Sequence, residues 1–272
     1  MNVEAISDSE LALFRTMLRK VAGISLSDAK KALVSGRLAR RLRHHRLSSY
    51  GEYFRLLARA GGEELQIAVD LLTTNESYFF RESKHFDFVR NEVLATHPPG
   101  RLFRVWCAAC STGEEPYSVA MLLAERLGVG PWEVLGSDIS SRCLETAKQA
   151  IYPFERAAQL PRQYLSEYCL KGVGGQEGNF QVGTALRERV RFMQINLNAA
   201  LPPLGRFDII FLRNAMIYFD APVKREVVTR LLPALEGGGY FLVGHSESLH
   251  GVTDDLERVR PSVYRKPRAR DR

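Results

Sequence analysis

A chain of 272 residues with 45% hydrophobic and 25% charged residues can bury one large core or two modest ones, and it contains no apolar run of the roughly 18–20 residues that a membrane span requires. Its N-terminus, MNVEAISDSE, lacks a basic patch followed by an apolar segment, and four cysteines suit a reducing compartment, so the cytoplasm is the expected location. A net charge of +7 favours acidic partners without choosing among nucleic acid, membrane and protein.

Ser7, Asp8, Ser9 and Glu10 offer caps ahead of Leu11, Phe14, Leu18 and Val21, which recur at helical spacing until Gly23 closes the run. A second helix is expected to start near Ser27 and Asp28. Its continuation, KKALVSGRLARRLRHHR (residues 30–46), carries seven Lys/Arg and no acid. Val34, Leu38 and Leu42 can face a core, while Lys30, Arg37 and Arg41 share another face. That face is either a solvated charge run or a docking surface for an acidic partner. Helical runs over 50–60 and 63–72 complete an all-helical N-terminal domain, 1–72.

Residues 73–82, TTNESYFFRE, follow. Three adjacent aromatics, Tyr78, Phe79 and Phe80, stand among Asn75, Ser77 and Arg81. The mixture suits a lid, with rings that exclude water and polar groups that meet a ligand; an ordinary helix connector with buried aromatics is the alternative. A helix over 84–95 and the linker Pro98-Pro99-Gly100 bring this segment to residue 100.

From residue 101 the pattern changes. LFRVWC (102–107), WEVLGS (132–137), the strand-like stretch 190–195, FDIIFL (207–212) and GYFLVG (239–244) read as strands. Helical runs over 117–127, 140–150 and 223–235 alternate with them. This order calls for an α/β fold with a mainly parallel sheet, whose ligands bind beyond the carboxyl ends of the strands.

Those ends carry the candidates. The turn after the first strand, AACSTGEE, has small residues that let a ligand approach the backbone, but it is not G-x-G-x-x-G. Glu114 and Glu115 would repel a pyrophosphate and favour a cationic ligand, and S-adenosylmethionine has an ammonium, a sulfonium and no phosphate. Asp138 stands where a Rossmann acid takes ribose hydroxyls, or else caps the next helix. Asn196-Leu197 and Arg213-Asn214 interrupt apolar runs at strand ends and need backbone or ligand partners. Tyr218 reaches the same edge or packs in a core. Cys107 and Cys110 form a C-x-x-C, but the acids downstream would raise a thiol pKa, and Cys143 and Cys169 do not complete a metal set; small buried residues explain them, and no metal is expected.

The elements TTNESYFFRE, AACSTGEEPYSVAMLL, GSDIS, NLN and LRNAMIYFD, in this order over nearly the whole chain, resemble the chemotaxis receptor glutamate methyltransferase family, CheR. The resemblance implies a Rossmann-like S-adenosylmethionine-dependent methyltransferase domain over 101–272, preceded by the all-helical domain and the 73–100 segment. It also implies a small inserted β-subdomain, about 168–195. The implied reaction is methyl transfer from S-adenosyl-L-methionine to glutamate side chains of chemoreceptors, with S-adenosyl-L-homocysteine as product. Carried over by position, the cofactor is met by Asn75, Ser77, Arg81, Glu115, Asp138, Asn196, Leu197, Arg213 and Asn214, and Arg81 with Tyr218 lies near the transferred methyl. Ser77 stands where the family carries Thr, and keeps its hydroxyl.

The implied partners are the cytoplasmic helices of chemoreceptors, docked on the basic helix between Lys30 and Arg46. A receptor tail can add to the subdomain, whose GVGGQEGNFQ (172–181) reads as hairpin turns; a plain surface hairpin is the alternative. A monomer without nucleic acid or membrane insertion is expected, ending in a disordered basic tail, RKPRARDR. Two rivals remain: a nucleic-acid methyltransferase, which would lack a D/N-P-P-Y/W element here, and a non-catalytic cofactor-binding scaffold.

Overall fold

The first helix, α1 (Asp8–Ala22), begins at a capping box. Ser7 Oγ accepts from the Glu10 amide, and the Glu10 carboxylate accepts from the Ser7 amide at 2.9 Å. Such a cap contributes about 1 kcal/mol. Gly23 ends the helix in the left-handed region, φ 72°, where any other residue would be strained. After a short 3₁₀ turn at Asp28–Lys30 come α2 (Lys31–His44), α3 (Tyr50–Ala60) and α4 (Gly62–Leu72).

The computed structural model describes residues 4–60 and 62–268, which fall into two units: Met1–Thr74 with Tyr218–Lys224, and Asn75–Ile217 with Arg225–Arg272. The first unit buries Leu11, Phe14 and Leu18 of α1 against Val34, Leu38 and Leu42 of α2, with Tyr53 and Leu57 of α3 and Leu72 of α4. Each fully buried aliphatic side chain here stabilises by about 1.5–3 kcal/mol. Glu64 ties three helices: Arg41 and His45 pair with it, and Tyr53 Oη donates to it at 2.6 Å. Burial opposes its ionisation, but Arg41, Tyr53 and His45 prevail and hold its carboxyl down at about 2. The segment 218–224 joins this unit through the Ser25 amide, which donates to the Tyr218 carbonyl at 2.8 Å, and through an Arg19–Asp220 ion pair.

The second unit starts at Asn75, and Pro98, Pro99 and Gly100 lie inside it, so they are not the linker expected from composition. The reason is apolar: Phe79, Phe80, Phe86 and Phe88 belong to the same core as Phe103 and Val105. The helix expected over 84–95 is three pieces in succession, α5 (Lys84–Phe88), a π turn at Val89–Val93 and a 3₁₀ turn at Leu94–Thr96. The change of pitch keeps Val89, Val93 and Leu94 all buried.

There follow β1 (Phe103–Cys107), α6 (Glu114–Leu127), β2 (Trp132–Asp138), α7 (Ser141–Gln149), β3 (Ile151–Pro153), α8 (Arg162–Tyr168), β4 (Cys169–Lys171), β5 (Asn179–Val182), α9 (Thr184–Arg187), β6 (Val190–Gln194), β7 (Phe207–Leu212), α10 (Ala221–Leu231), β8 (Leu235–Val243), β9 (Glu257–Arg260) and β10 (Val263–Arg265). Seven strands form one sheet in the order β6-β2-β1-β7-β8-β10-β9. The first five run parallel; β10 is antiparallel to β8, and β9 to β10. Central strands such as FDIIFL are apolar almost throughout because helices cover both faces.

A separate antiparallel sheet has the order β3-β5-β4. The insertion therefore begins near Ile151, earlier than the expected 168, and it ends before residue 190, because β6 pairs with β2 in the large sheet. Of the tail, Arg265 closes β10 and Lys266 donates to the carbonyls of Leu232 (2.6 Å) and Leu235 (2.8 Å), so its start is ordered; residues 269–272 lie outside the described residues.

Candidate active site

Connections from β1 leave on one side toward β2 and return on the other at β7, so the carboxyl ends of β1 and β7 frame a topological switch point. The turns after β1, β2, β6 and β7 supply most of the candidates, and residues 75–82 and the turn after β8 add the rest.

After β1 the backbone coils tightly. Ser111 has φ 50° and Gly113 φ 96°. A Cβ on Gly113 would stand 2.8 Å from Ala147 Cβ and 2.9 Å from Tyr152 Oη, so only glycine fits. Asp138, at the end of β2 and 8% exposed, accepts from the Ser111 amide at 2.8 Å and from the Ser140 amide at 2.9 Å, one on each oxygen. These two amides fix the orientation of the Asp138 carboxylate at the end of β2. Ser140 Oγ accepts from the Cys143 amide and caps α7. Beside Asp138, Ser111 Oγ is buried with no hydrogen-bond partner among the described residues. A group of that kind asks for a ligand, and sequence reasoning passed over it although it lies inside the quoted turn.

The two acids at the start of α6 part ways. Glu114 is fully buried, accepting from Thr112 Oγ1 at 2.7 Å and paired with Arg156 at 3.2 Å, so it is turned into the protein. Glu115 alone is held by Arg213, Nη1 to Oε2 at 2.9 Å. Burial pushes the Glu115 carboxyl up, and Arg213 opposes that. Burial likewise pushes the Cys107 and Cys110 thiols well above their usual range, consistent with small buried residues.

Arg213 is the hub. Its side chain is 2% exposed. Nη1 serves Glu115; Nη2 lies 3.1 Å from Glu82 and also donates to the Arg81 carbonyl. Its role is therefore to fix two carboxylates and the backbone of the 75–82 segment. Asn214, at φ 56°, donates its amide to Glu247 at 2.8 Å and its side-chain nitrogen to Glu82 at 3.3 Å. Glu247 also accepts from the Gly244 amide (2.7 Å) and the Ile217 amide (3.1 Å). Neither Glu82 nor Glu247 was singled out from sequence. Glu82 ends the quoted aromatic stretch, so its signal was an acid within reach of Arg81.

The aromatic segment is not the expected three-ring lid. Phe79 is fully buried against Tyr152 and Phe180, with centroids at 5.0 and 5.6 Å, and Phe80 packs on Phe86 and Tyr164. The Phe80 amide donates to Ser118 Oγ at 2.9 Å. These two rings anchor the segment; only Tyr78 remains partly exposed. Arg81 stacks over Tyr78 at 5.5 Å and donates to the Glu76 carbonyl at 2.8 Å. The Ser77 carbonyl accepts from Arg156. Asn75 is half-buried at the start of the segment. After β6, Asn196 is half-buried with Oδ1 accepting from the Asn198 amide (2.9 Å), and Leu197 is buried with its carbonyl accepting from Arg230 at 2.6 Å. Ile195 bonds the Asp138 carbonyl at 3.1 Å, which brings this turn beside β2.

The structure thus links Arg81, Glu82, Glu115, Arg213 and Asn214 in one network, and joins Ser111, Asp138 and the Asn196 turn in another. Tyr218 belongs to the helical unit. Arg37 and Arg41 of the basic run are committed within that unit, Arg37 to the carbonyls of Leu72 and Thr73 and Arg41 to Glu64. Lys30, Arg40, Arg43 and Arg46 are exposed.

Residues 75–264 match the family profile described as "CheR methyltransferase, SAM binding domain", and residues 9–73 match "CheR methyltransferase, all-alpha domain". The chain belongs to the CheR methyltransferase family. "Chemotaxis protein methyltransferase 2" of Pseudomonas aeruginosa is 42% identical over 253 residues, 92% of this chain and 90% of that protein. "Chemotaxis protein methyltransferase" of Escherichia coli K12 is 42% identical over 250 residues, 90% and 86%. The protein of the same name from Salmonella typhimurium LT2 is 38% identical over 264 residues, 96% and 91%. The chain is accordingly an S-adenosylmethionine-dependent methyltransferase with a Rossmann-like α/β domain after an all-helical one. Among the described residues, no helix is long and apolar enough to cross a membrane.

Proposed function

We propose that this CheR enzyme esterifies glutamate side chains on the cytoplasmic helices of chemoreceptors and acts in the cytoplasm as a monomer. The observation that carries the reading is the pair of oriented acids at one sheet edge: Asp138, fixed by two backbone amides, and Glu115, fixed by Arg213. A carboxylate for ribose hydroxyls and a carboxylate for an ammonium suit S-adenosylmethionine and would repel a phosphate. The partnerless Ser111 Oγ fits the same ligand.

When bound, S-adenosylmethionine supplies an electrophilic methyl on a sulfonium. Asp138 is assigned the ribose, Glu115 the ammonium, and Asn75, Ser77, Asn196, Leu197 and Asn214 the remaining contacts. Arg213 contributes by orienting Glu115. Glutamate, with a reference pKa of about 4.3, is already ionised at neutral pH, so the chain needs no general base. Its task is alignment and exclusion of water around opposite charges that cancel during transfer. Arg81, assigned with Tyr218 to the methyl end, positions the incoming carboxylate. A tight bidentate clamp would weaken the nucleophile, and Arg81 is instead held loosely through Tyr78 and the Glu76 carbonyl.

The exposed cations Lys30, Arg40, Arg43 and Arg46 are the part of the basic helix assigned to the receptor's acidic surface. The outer strand β4 of the small sheet, with Leu170 58% exposed, is assigned a receptor tail by strand addition. The deciding experiment incubates the enzyme with radiolabelled S-adenosylmethionine and receptor fragments or RNA, then treats the product with mild base. Carboxyl methyl esters release methanol; label retained as N-methyl or C-methyl product, or no transfer at all, would exclude the proposed reaction.

A further inference from the structure

Behind the Arg81 end of the segment stands a group that methyl transfer does not use. Glu82, His85 and His245 each offer one ligand atom, and these atoms lie within 4.8 Å of one another. His85 is 2% exposed. Its Nε2 lies 2.8 Å from Ser262 Oγ, while its buried Nδ1 has no hydrogen-bond partner among the described residues and lies 3.5 Å from Glu82 Oε2. Ser262 Oγ donates to the Pro261 carbonyl at 2.7 Å, so it accepts from Nε2 and leaves the Nδ1 lone pair facing Glu82, as an outer partner does for a metal-ligating histidine.

His245 completes the set from the turn after β8. Its ring lies 5.0 Å from that of His85, and its Nε2 is 3.8 Å from Glu82 Oε2. Its side chain is 48% exposed, so it can shift and leaves room for water ligands. Ligand atoms around tetrahedral zinc stand about 3.3 Å apart, so closing the set requires a movement of about 1.5 Å or less.

Charge permits a cation there. Arg213 borders Glu82, but it is shared with Glu115, so these three residues carry one negative charge in excess. Asn214 Nδ2 and the His245 amide also donate to Glu82 and hold its carboxylate in place. Two imidazoles and one carboxylate select a borderline transition cation over magnesium or calcium, which take oxygen donors.

We infer that Glu82, His85 and His245 form a binding site for a divalent transition-metal ion such as zinc. This departs from the expectation of no metal, which weighed only the cysteines. The ion would tie the end of the 75–82 segment and the start of α5 to the turn after β8. The inference is independent of the methyl acceptor.

The full chain, stripped with chelator, is titrated with Co²⁺ alone by visible absorption and with Zn²⁺ alone by calorimetry. One equivalent is expected, with the ligand-field bands of a low-coordinate nitrogen and oxygen site and a rise in melting temperature with Zn²⁺. His245→Ala, a change at an exposed side chain, is expected to weaken binding about tenfold or more and to remove the thermal shift. His250→Ala, at another exposed histidine, leaves both unchanged. Lack of saturable binding overturns the site. So does equal affinity of His245→Ala, or a thiolate-to-cobalt charge-transfer band, which would assign the ion to cysteine.

Discussion

At the scale of single residues, the site makes distinguishable demands. Asp138→Asn keeps the size but removes charge, and it replaces an acceptor oxygen with a donor beside the Ser111 and Ser140 amides. Losing one charge-assisted hydrogen bond costs about 1.5–3 kcal/mol, so cofactor affinity measured by calorimetry should fall by roughly ten- to a hundredfold. Ser111→Ala gives a paired signature. Removing a buried hydroxyl without a partner should leave the cofactor-free protein equally stable, or about 1 kcal/mol more so, while cofactor binding weakens several-fold. A thermal melt with and without S-adenosylhomocysteine reads both effects. Arg81→Ala should keep cofactor affinity within a few-fold and lower turnover by at least about tenfold. Unchanged turnover would remove Arg81 from the reaction.

Elements carry the next layer. Arg213 at the end of β7 joins α6, through Glu115, to the segment before α5, through Glu82. Arg213→Met would leave two largely buried acids facing each other without a cation. Breaking such a group costs about 3–5 kcal/mol, so urea unfolding should show a loss of that order. The same strands show what could be read in advance. FDIIFL and WEVLGS were legible because strands buried on both faces have no polar alternation to hide them. β9, with all four residues exposed, and β3, only three residues long, carry no apolar signature and were missed. Asp138, Glu115 and Arg213 were visible as polar groups at strand ends. Glu82, Glu247 and His245 were not, because their meaning depends on contacts that span up to 163 residues of chain. Phe79 and Phe80 were read as a lid because sequence reports that rings are adjacent, not which way each points.

For the whole molecule, charge sets the response to solution conditions. Glu64 in the helical unit titrates at about 2, against 4.5 for an unperturbed carboxyl. Its folded value is the lower one, so its stabilisation is complete above about pH 4.5 and is lost as pH falls toward 2. The span corresponds to at most about 3 kcal/mol. Glu64→Gln should therefore flatten the acid limb of the stability curve measured by chemical denaturation. The exposed Lys30, Arg40, Arg43 and Arg46 predict that association with an acidic receptor fragment weakens with salt, since screening lengths shrink to about 8 Å at 0.15 M. Replacing these four with Gln should remove most of that salt dependence while leaving cofactor affinity unchanged. The sequence made this face legible as a basic run, but it could not divide the run. Arg37 and Arg41 look like their neighbours and are spent on helix packing.

Arg156 leaves the inserted region after β3 and grips both the Ser77 carbonyl and Glu114. The insertion is thereby mechanically in series with the 75–82 segment and the start of α6. A chimera that exchanges residues 151–182 for the corresponding piece of a relative must also supply a cation at this point. Otherwise Glu114, fully enclosed, is left with Thr112 as its remaining described side-chain partner. The graft would then cost the recipient its grip on the methyl donor, even where the new hairpin folds faithfully.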